Sequence, residues 1–140
     1  MKDPLFLDTG FIVALETSSD QNHDAAAEYW KSFLSSVAPL ITTTFVLDEI
    51  ATFFNSHDRH AKAVEVVERL IESDSVELII VDEELFQAAW DFFKTHADKS
   101  YSLTDCISFV VMNDRGIREA LTFDRHFAQA GFIKIPGGKL

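Results

Sequence analysis

The chain has 140 residues, of which 47% are hydrophobic and 25% charged, and this composition excludes a disordered protein. A chain of this length can bury one sizeable core, so we expect a single domain over residues 1–140. Twelve Lys and Arg against 23 Asp and Glu give a formal net charge of -11, which argues against nucleic-acid binding through a generally basic surface.

The first part of the chain predicts two units in which a short strand leads into a helix. Residues 4–8 (PLFLD) form an apolar run that ends in an acid, and TGFIVALE continues with helical spacing. A separate helix is predicted over residues 22–37. The β-branched segment LITTT at 40–44 predicts a strand, and residues 45–55 predict a buried helix.

The second part of the chain alternates in the same way. VELIIVD at 76–82 is the clearest strand, and Ser102 and Gly116 are the expected cap and stop of one helix. The predicted elements are helix 59–73, strand 76–82, helix 83–96, helix 102–116, strand 119–124, a helical turn at 125–131 and an edge strand at 132–136.

This alternation predicts an α/β fold. Right-handed crossovers would build a mainly parallel central sheet of about five strands with helices on both faces, a three-layer α/β/α domain. In such sheets ligands bind beyond the carboxyl ends of the strands. The acids that follow strands are therefore the first candidates for a functional site.

Asp8 and Asp124 share one local context, because each follows a predicted strand and precedes a helical turn. Their carboxylates should reach the same edge of the sheet, where ionised acids without partners are costly and a shared cation would offset that cost. The alternative is that each aspartate only caps the helix after it. Two acids in equivalent positions favour the cation.

Two further acids lie on predicted helices. Glu49 is in the apolar helix after LITTT, and its neighbour Asp48 is about 100° away around the axis, so periodicity alone does not decide which of them faces the site. Asp105 is in the first turn of the helix that Ser102 begins. The alternatives are a solvent-facing acid for Glu49 and stabilisation by the helix dipole for Asp105.

Four carboxylates without a cysteine or histidine partner at metal-binding spacing indicate a hard cation, magnesium or manganese rather than zinc. Cys106 is predicted to be a small core residue. The five histidines show no paired metal-binding motif and are expected on the surface or in loops: His23, His57, His60, His96 and His126.

The segments FLDTGFIVAL, SLTDCIS and LTFDRHF, with a helix glutamate after a Thr-rich strand, resemble the PIN-domain ribonucleases, in particular the VapC-like toxins. The resemblance covers nearly the whole chain. It implies that the catalytic and metal-binding acids are Asp8, Glu49, Asp105 and Asp124, at intervals of 41, 56 and 19 residues. It also implies that Thr9 and Thr104 orient the carboxylates and metal-bound waters.

The same resemblance implies a Mg²⁺- or Mn²⁺-dependent endoribonuclease, the toxin of a toxin–antitoxin pair, that forms a homodimer and binds a small antitoxin. The acidity of this chain departs from relatives that carry a basic rim for RNA. The candidate contacts to an RNA backbone are Lys94, Lys99, Arg115, Arg118 and Arg125.

Two alternatives remain open from the residues. A magnesium-binding receiver-like signalling domain would need a strand-end lysine late in the chain, for which Lys134 is the candidate. A non-catalytic protein-binding module would expose aromatic side chains, and the candidates are Trp30, Phe53, Phe54, Trp90 and Phe93.

The compartment is also an expectation. Asp8 interrupts the apolar start of the chain, which lacks the features of a secretion signal, and no run of about 18 uncharged apolar residues could cross a bilayer. Cys106 is the single cysteine, so an internal disulfide is excluded. We expect a soluble cytoplasmic protein.

Overall fold

The computed structural model of the protein describes residues 3–34 and 38–137. Within these residues one sheet of five parallel strands has the order β3-β2-β1-β4-β5. The strands are β1 (Leu5–Leu7), β2 (Leu40–Thr43), β3 (Val76–Ile79), β4 (Glu119–Leu121) and β5 (Ile133–Ile135). The predicted α/β class with a mainly parallel sheet of about five strands is confirmed.

Helices connect the strands. They are α1 (Thr9–Leu15), α2 (His23–Phe33), α3 (Thr44–Ser56), α4 (His60–Glu72), α5 (Glu83–Thr95), α6 (Leu103–Arg115) and α7 (Arg125–Gln129). The chain moves outward from β1 through β2 to β3, and then crosses back to β4. Because right-handed crossovers in opposite directions put helices on opposite faces, α1–α4 cover one face and α5–α7 the other.

The core follows from the sequence of the central strands and the helices that cover them. All three residues of β1 and all four of β2 are buried, as a strand between two helical layers requires. Phe6, Phe11, Ile50, Phe54 and Phe109 are fully inaccessible to solvent. The described helices have at most 13 residues, and none is long and apolar enough to cross a membrane.

Differences from the sequence predictions lie at the ends of elements. The predicted strand 76–82 stops at Ile79, and the next residue, Ile80, is 66% exposed because β3 is the edge strand. The predicted helix 22–37 ends at Phe33, and residues 35–37 of that prediction lie outside the described part of the chain. Ser102 and Gly116 bound α6 as predicted, with Gly116 in the left-handed conformation at φ 66°.

The strand order fixes where a site can form. β1 lies between β2 and β4, so the connections that leave β1 and β4 begin side by side at the carboxyl edge of the sheet. The backbone N–H of Asp8 donates to the carbonyl of Leu121 at 3.0 Å and holds these two chain segments together. Ligands of doubly wound sheets bind at such a point.

Candidate metal centre

A cavity of about 300 Å³ opens at the carboxyl edge of β1 and β4. All four acids that the sequence singles out line it. The lining residues are Asp8, Thr9, Gly10, Glu49, Ser100, Ser102, Asp105, Asp124 and His126. Acids that are up to 116 residues apart in the sequence (8 to 124) therefore face one space.

Asp8 is the most buried of the four acids, with 6% of its surface exposed. Its Oδ2 accepts a 2.7 Å hydrogen bond from the hydroxyl of Thr122. Although Asp8 stands at the N-cap position of α1, its side chain makes no capping hydrogen bond, so capping does not explain this acid. Burial raises the pKa of Asp8 to about 7, and the charges of Asp105 and Asp124 add to the rise against the opposing effect of Thr122.

Asp105 is held in the first turn of α6 by a reciprocal capping box with Ser102. The Ser102 hydroxyl accepts from the Asp105 backbone N–H at 2.9 Å, and Asp105 Oδ2 accepts from the Ser102 backbone N–H at 3.2 Å. Burial raises the pKa of Asp105, and the nearby charge of Asp124 raises it further, while hydrogen bonds from Ser102 and His126 lower it. Both buried acids thus bind a proton more readily than a solvated aspartate.

Asp124 does cap the helix that follows it. Its Oδ1 accepts from the backbone N–H of His126 at 2.9 Å, and its own backbone N–H donates to Thr122 Oγ1 at 3.0 Å. The Thr122 hydroxyl therefore contacts Asp8 through its hydrogen and Asp124 through its oxygen. Thr122 is fully buried, and sequence reasoning did not single it out.

Glu49 faces the cavity from α3. Its Oε1 accepts a 2.6 Å hydrogen bond from the hydroxyl of Thr9, the first residue of α1. Asp48 is exposed and does not line the cavity. Of these two acids, Glu49 is therefore the one that faces the cavity, and its role there stays a prediction.

His126 was expected to be a surface or loop residue, and the structure places it in the cavity instead. Its Nδ1 lies 3.2 Å from Asp105 Oδ2 and 3.3 Å from Asp124 Oδ1. Ligand atoms of these three residues lie within 4.8 Å of one another, and no other such group of His, Cys, Asp or Glu occurs in the described residues. The spacing of Asp124 and His126 was the only signal in the sequence for this group. Its third residue, Asp105, lies on a different helix, so the sequence alone did not reveal the group.

The remaining predicted residues lie elsewhere. Thr104 is in the first turn of α6 and does not line the cavity. Its backbone carbonyl accepts a hydrogen bond from the hydroxyl of Ser108. Cys106 is buried in the core, and burial raises the pKa of its thiol to about 11. Lys134 is in the middle of β5 opposite Ala120 and does not line the cavity. A receiver-like domain would need this lysine at the site.

The candidate RNA contacts divide between the two ends of the sheet. Arg115, at the end of α6, pairs with Glu77 at 2.8 Å, and Arg118 precedes β4, so both lie toward the amino ends of the strands. Lys94 and Lys99 pair with neighbouring acids at 3.4 and 3.6 Å. Arg125 is exposed and directly follows Asp124, at the carboxyl edge of the sheet.

The donor set of the cavity fits a divalent cation. Burial is the main cause of the raised pKa values of Asp8 and Asp105, and the charges of neighbouring acids in the cavity add to both. A doubly charged ion would offset the cost of burying these carboxylates together. Glu49 and the imidazole of His126 offer further donors at the rim. A larger cleft of about 610 Å³, lined by Trp30 and Pro39 among others, has a single acid, Asp74, in its lining.

Comparison with known proteins gives one consistent result. The family model described as PIN domain matches residues 5–133. The chain is 35% identical over 133 residues to proteins named 23S rRNA-specific endonuclease VapC20, from two strains of Mycobacterium tuberculosis, CDC 1551 / Oshkosh and H37Rv. This match covers 94% of the chain and 97% of each relative.

Solved structures agree with the sequence matches. The crystal structure of Mycobacterium tuberculosis VapC20, described as a sarcin-ricin loop cleaving toxin, superimposes with a TM-score of 0.84 at 32% identity, over 92% of this chain and 96% of that chain. The crystal structure of FitAcB from Neisseria gonorrhoeae gives a TM-score of 0.65 at 16% identity, over 97% of this chain and 99% of that chain, and it shares the fold.

Proposed function

Because the chain belongs to the PIN-domain family, we propose that it is a metal-dependent endoribonuclease that hydrolyses RNA phosphodiester bonds as the toxin of a toxin–antitoxin pair. The observation that carries this proposal is the convergence of Asp8, Glu49, Asp105 and Asp124 on one cavity. Asp8 follows β1, Asp124 follows β4 and Asp105 lies at the start of α6. Helix capping by Asp105 and Asp124 does not require three carboxylates to face the same cavity, and their shared burial is unfavourable without a counter-ion. Hydrolysis of a phosphodiester is a reaction that such a centre can support.

The proposed ion is Mg²⁺ or Mn²⁺, held by Asp8, Asp105 and Asp124 directly or through water. When bound, it would polarise the phosphate and stabilise charge in the transition state. Glu49 would hold a second ion or position the attacking water. Thr9 orients Glu49 through its 2.6 Å hydrogen bond, and Thr122 orients Asp8.

A bound cation also offers a way for an acidic protein to bind RNA. The formal net charge of -11 repels a polyanion at long range, but the acids of the centre become attractive to phosphate once an ion neutralises them. Arg125, which directly follows Asp124 and is exposed, would add a positive charge at the same edge of the sheet. We infer that ribosomal RNA is the first substrate to test, because the relatives at 35% identity are named for 23S rRNA. A cytoplasmic location follows from that substrate.

The direct test is RNA cleavage by the Asp8→Asn and Asp105→Asn variants in magnesium or manganese. Each substitution keeps the shape of the side chain and removes its charge, so we expect cleavage to fall at least about a hundredfold. Asp48→Asn is the matched control, because Asp48 is exposed and does not line the cavity. Full activity in either site variant, with circular dichroism spectra like wild type, would overturn the proposal.

A homodimer and a small antitoxin partner are part of the proposal. The supporting observation is an exposed aromatic face on α5, where Phe86, Trp90 and Phe93 follow at steps of four and three residues and are 39%, 39% and 37% exposed. By contrast, Phe54 is buried and Trp30 and Phe53 are partly buried. Light scattering of the purified chain measures its mass. A mass of one chain at micromolar concentration contradicts the dimer.

A further inference from the structure

We propose that His126 supplies a nitrogen ligand to the divalent ion, so that the centre combines imidazole and carboxylate donors. This inference rests on the proposed function only in requiring that a divalent ion binds in the cavity. It assigns a role to a residue that sequence reasoning placed on the surface. It also changes the expected ion preference of the site.

The distances around Nδ1 carry the inference. An octahedral ion with bonds of about 2.1 Å keeps adjacent ligand atoms about 3 Å apart. Without an ion, Nδ1 of His126 is within hydrogen-bonding distance of both acids, 3.2 Å from Asp105 Oδ2 and 3.3 Å from Asp124 Oδ1. A divalent ion would take the place of the proton in such a contact, and these distances are also the spacing of adjacent ligand atoms. The three residues thus bring one imidazole nitrogen and two carboxylate oxygens within 4.8 Å of one another.

The ring of His126 is also held in place. Its backbone N–H donates to Asp124 Oδ1, which ties the residue to one of its partners. The ring packs edge-on against Tyr101, with centroids 5.4 Å apart and planes at 75°, and Tyr101 is 6% exposed and packs in turn on Phe109. A ligand fixed by its surroundings needs little reorganisation when it binds an ion.

An imidazole ligand alters ion selection. Oxygen ligands suit both Mg²⁺ and Mn²⁺, whereas an imidazole ligand favours transition metals over Mg²⁺, and affinity at a mixed site increases from Mn²⁺ toward later metals. We therefore expect Mn²⁺ to bind more tightly than Mg²⁺. In the His126→Asn variant, whose short amide can offer oxygen near the position of Nδ1, Mn²⁺ affinity should fall about 10- to 100-fold and Mg²⁺ affinity should change less.

Pulsed electron paramagnetic resonance of the Mn²⁺-loaded protein tests the inference without measuring cleavage. Histidine bound to Mn²⁺ produces a nitrogen modulation, and labelling only histidine with ¹⁵N separates imidazole from backbone nitrogen. We expect a label-sensitive modulation in the wild type, its loss in His126→Asn, and its retention in His60→Asn. His60 is exposed and outside the cavity, so this variant is the matched control.

The outcomes separate the inference from the function on which it rests. If the wild type binds Mn²⁺ and shows no histidine modulation, the ligand role of His126 is wrong and a centre of carboxylates stands. If the wild type binds no Mn²⁺ even when the ion is in large excess, both proposals are wrong. Should His126→Asn lose its folded spectrum, the labelled wild type and His126→Gln decide the question.

Discussion

The hydroxyl of Thr122 donates a 2.7 Å hydrogen bond to Oδ2 of Asp8, a residue 114 positions away in the sequence. The same hydroxyl accepts the backbone N–H of Asp124 at 3.0 Å. One buried side chain therefore fixes the relative positions of the acids that follow β1 and β4. Because these acids are the proposed ion ligands, the contact makes Thr122 a positioning residue.

Replacing Thr122 by valine should weaken ion binding. The substitution keeps the branched shape but removes the donor to Asp8, so the pKa of Asp8 should rise further above its ordinary value. We expect the affinity for Mn²⁺ to fall about 10- to 100-fold, as for other residues that orient metal ligands. Isothermal titration with Mn²⁺ measures the change.

Thr42→Val is the matched control for that experiment. Thr42 is also fully buried, and its hydroxyl donates to the carbonyl of Leu7 rather than to an acid. Both variants should lose about 1 to 3 kcal/mol of unfolding free energy, but only Thr122→Val should lose ion affinity. Equal affinities in the two variants would contradict the positioning role.

The stability of the ion-free protein should depend on pH through Asp8. Its pKa is about 7 in the folded protein and 3.8 ordinarily, so between these values the folded chain keeps a proton that the unfolded chain releases. The contribution of Asp8 to the unfolding free energy is therefore greatest below about pH 4 and is lost as the pH rises to about 7. Urea unfolding in chelator at several pH values measures it.

The Asp8→Asn variant should show a shallower decline over the same pH range, because an amide does not titrate. Asp105, whose pKa is also raised, contributes in the same direction and remains in this variant. Asp48→Asn should leave the decline unchanged. A wild type and an Asp8→Asn variant with parallel pH profiles would show that Asp8 is not buried as described.

Divalent ions should stabilise the folded protein. An ion that binds only the native state at a hundred times its dissociation constant adds about 2.7 kcal/mol. We expect Mn²⁺ or Mg²⁺ to raise the melting temperature of the wild type and chelator to reverse the rise. In Asp105→Asn the rise should be much smaller, since that variant lacks one proposed ligand. An unchanged wild-type melting temperature at saturating ion contradicts the metal centre.

Glu49→Gln should reduce RNA cleavage with little effect on folding. The amide can still accept the hydrogen bond from Thr9, but it loses the charge that would hold an ion or position water. We expect at least a tenfold decrease in the cleavage rate. Asp48→Asn, one residue earlier on the exposed side of α3, should cleave at the wild-type rate. Reversed results would assign the helix acid to Asp48.

Glu16 offers a test of stability that should leave the centre intact. Its carboxylate, 14% exposed, joins the end of α1 to α4 through Lys62 at 2.8 Å and Arg69 at 2.6 Å. Glu16→Gln should lower the unfolding free energy by about 1 kcal/mol, less in high salt, without changing ion affinity. Denaturant unfolding is measured with and without 1 M salt, at which the Debye length is about 3 Å. A loss that shrinks in salt is electrostatic, whereas a loss from packing would stay the same.

Topology explains why Asp8, Asp105 and Asp124 could be singled out from the sequence. Each follows a strand or begins a helix at the carboxyl edge of a parallel sheet, and local patterns suffice to place such residues. Family membership, also inferred from these segments, is confirmed. The roles of the four acids in binding and catalysis stay predictions for the experiments above.

Residues whose partners lie far away in the sequence could not be found in this way. Thr122 is one residue past β4 and reads as the end of a strand, and only the structure shows its contact with Asp8. His126 has no histidine or cysteine near it in the sequence at a metal-binding spacing. Its partner Asp105 lies on α6, and only the structure shows that the two side chains meet. Ile80 was counted in the strand 76–82, but it lies beyond the end of β3 and is exposed, since periodicity does not reveal which strand lies at the edge.

The central position of β1 has a consequence for the chain while it is being synthesised. Asp8 leaves the ribosome early, but its hydrogen-bonding neighbour Thr122, the acid Asp124 and the strand that pairs with β1 on that side emerge after more than a hundred further residues. Until β4 inserts beside β1, the nascent polypeptide has an incomplete centre. The proposed centre therefore cannot assemble until nearly the whole chain has left the ribosome.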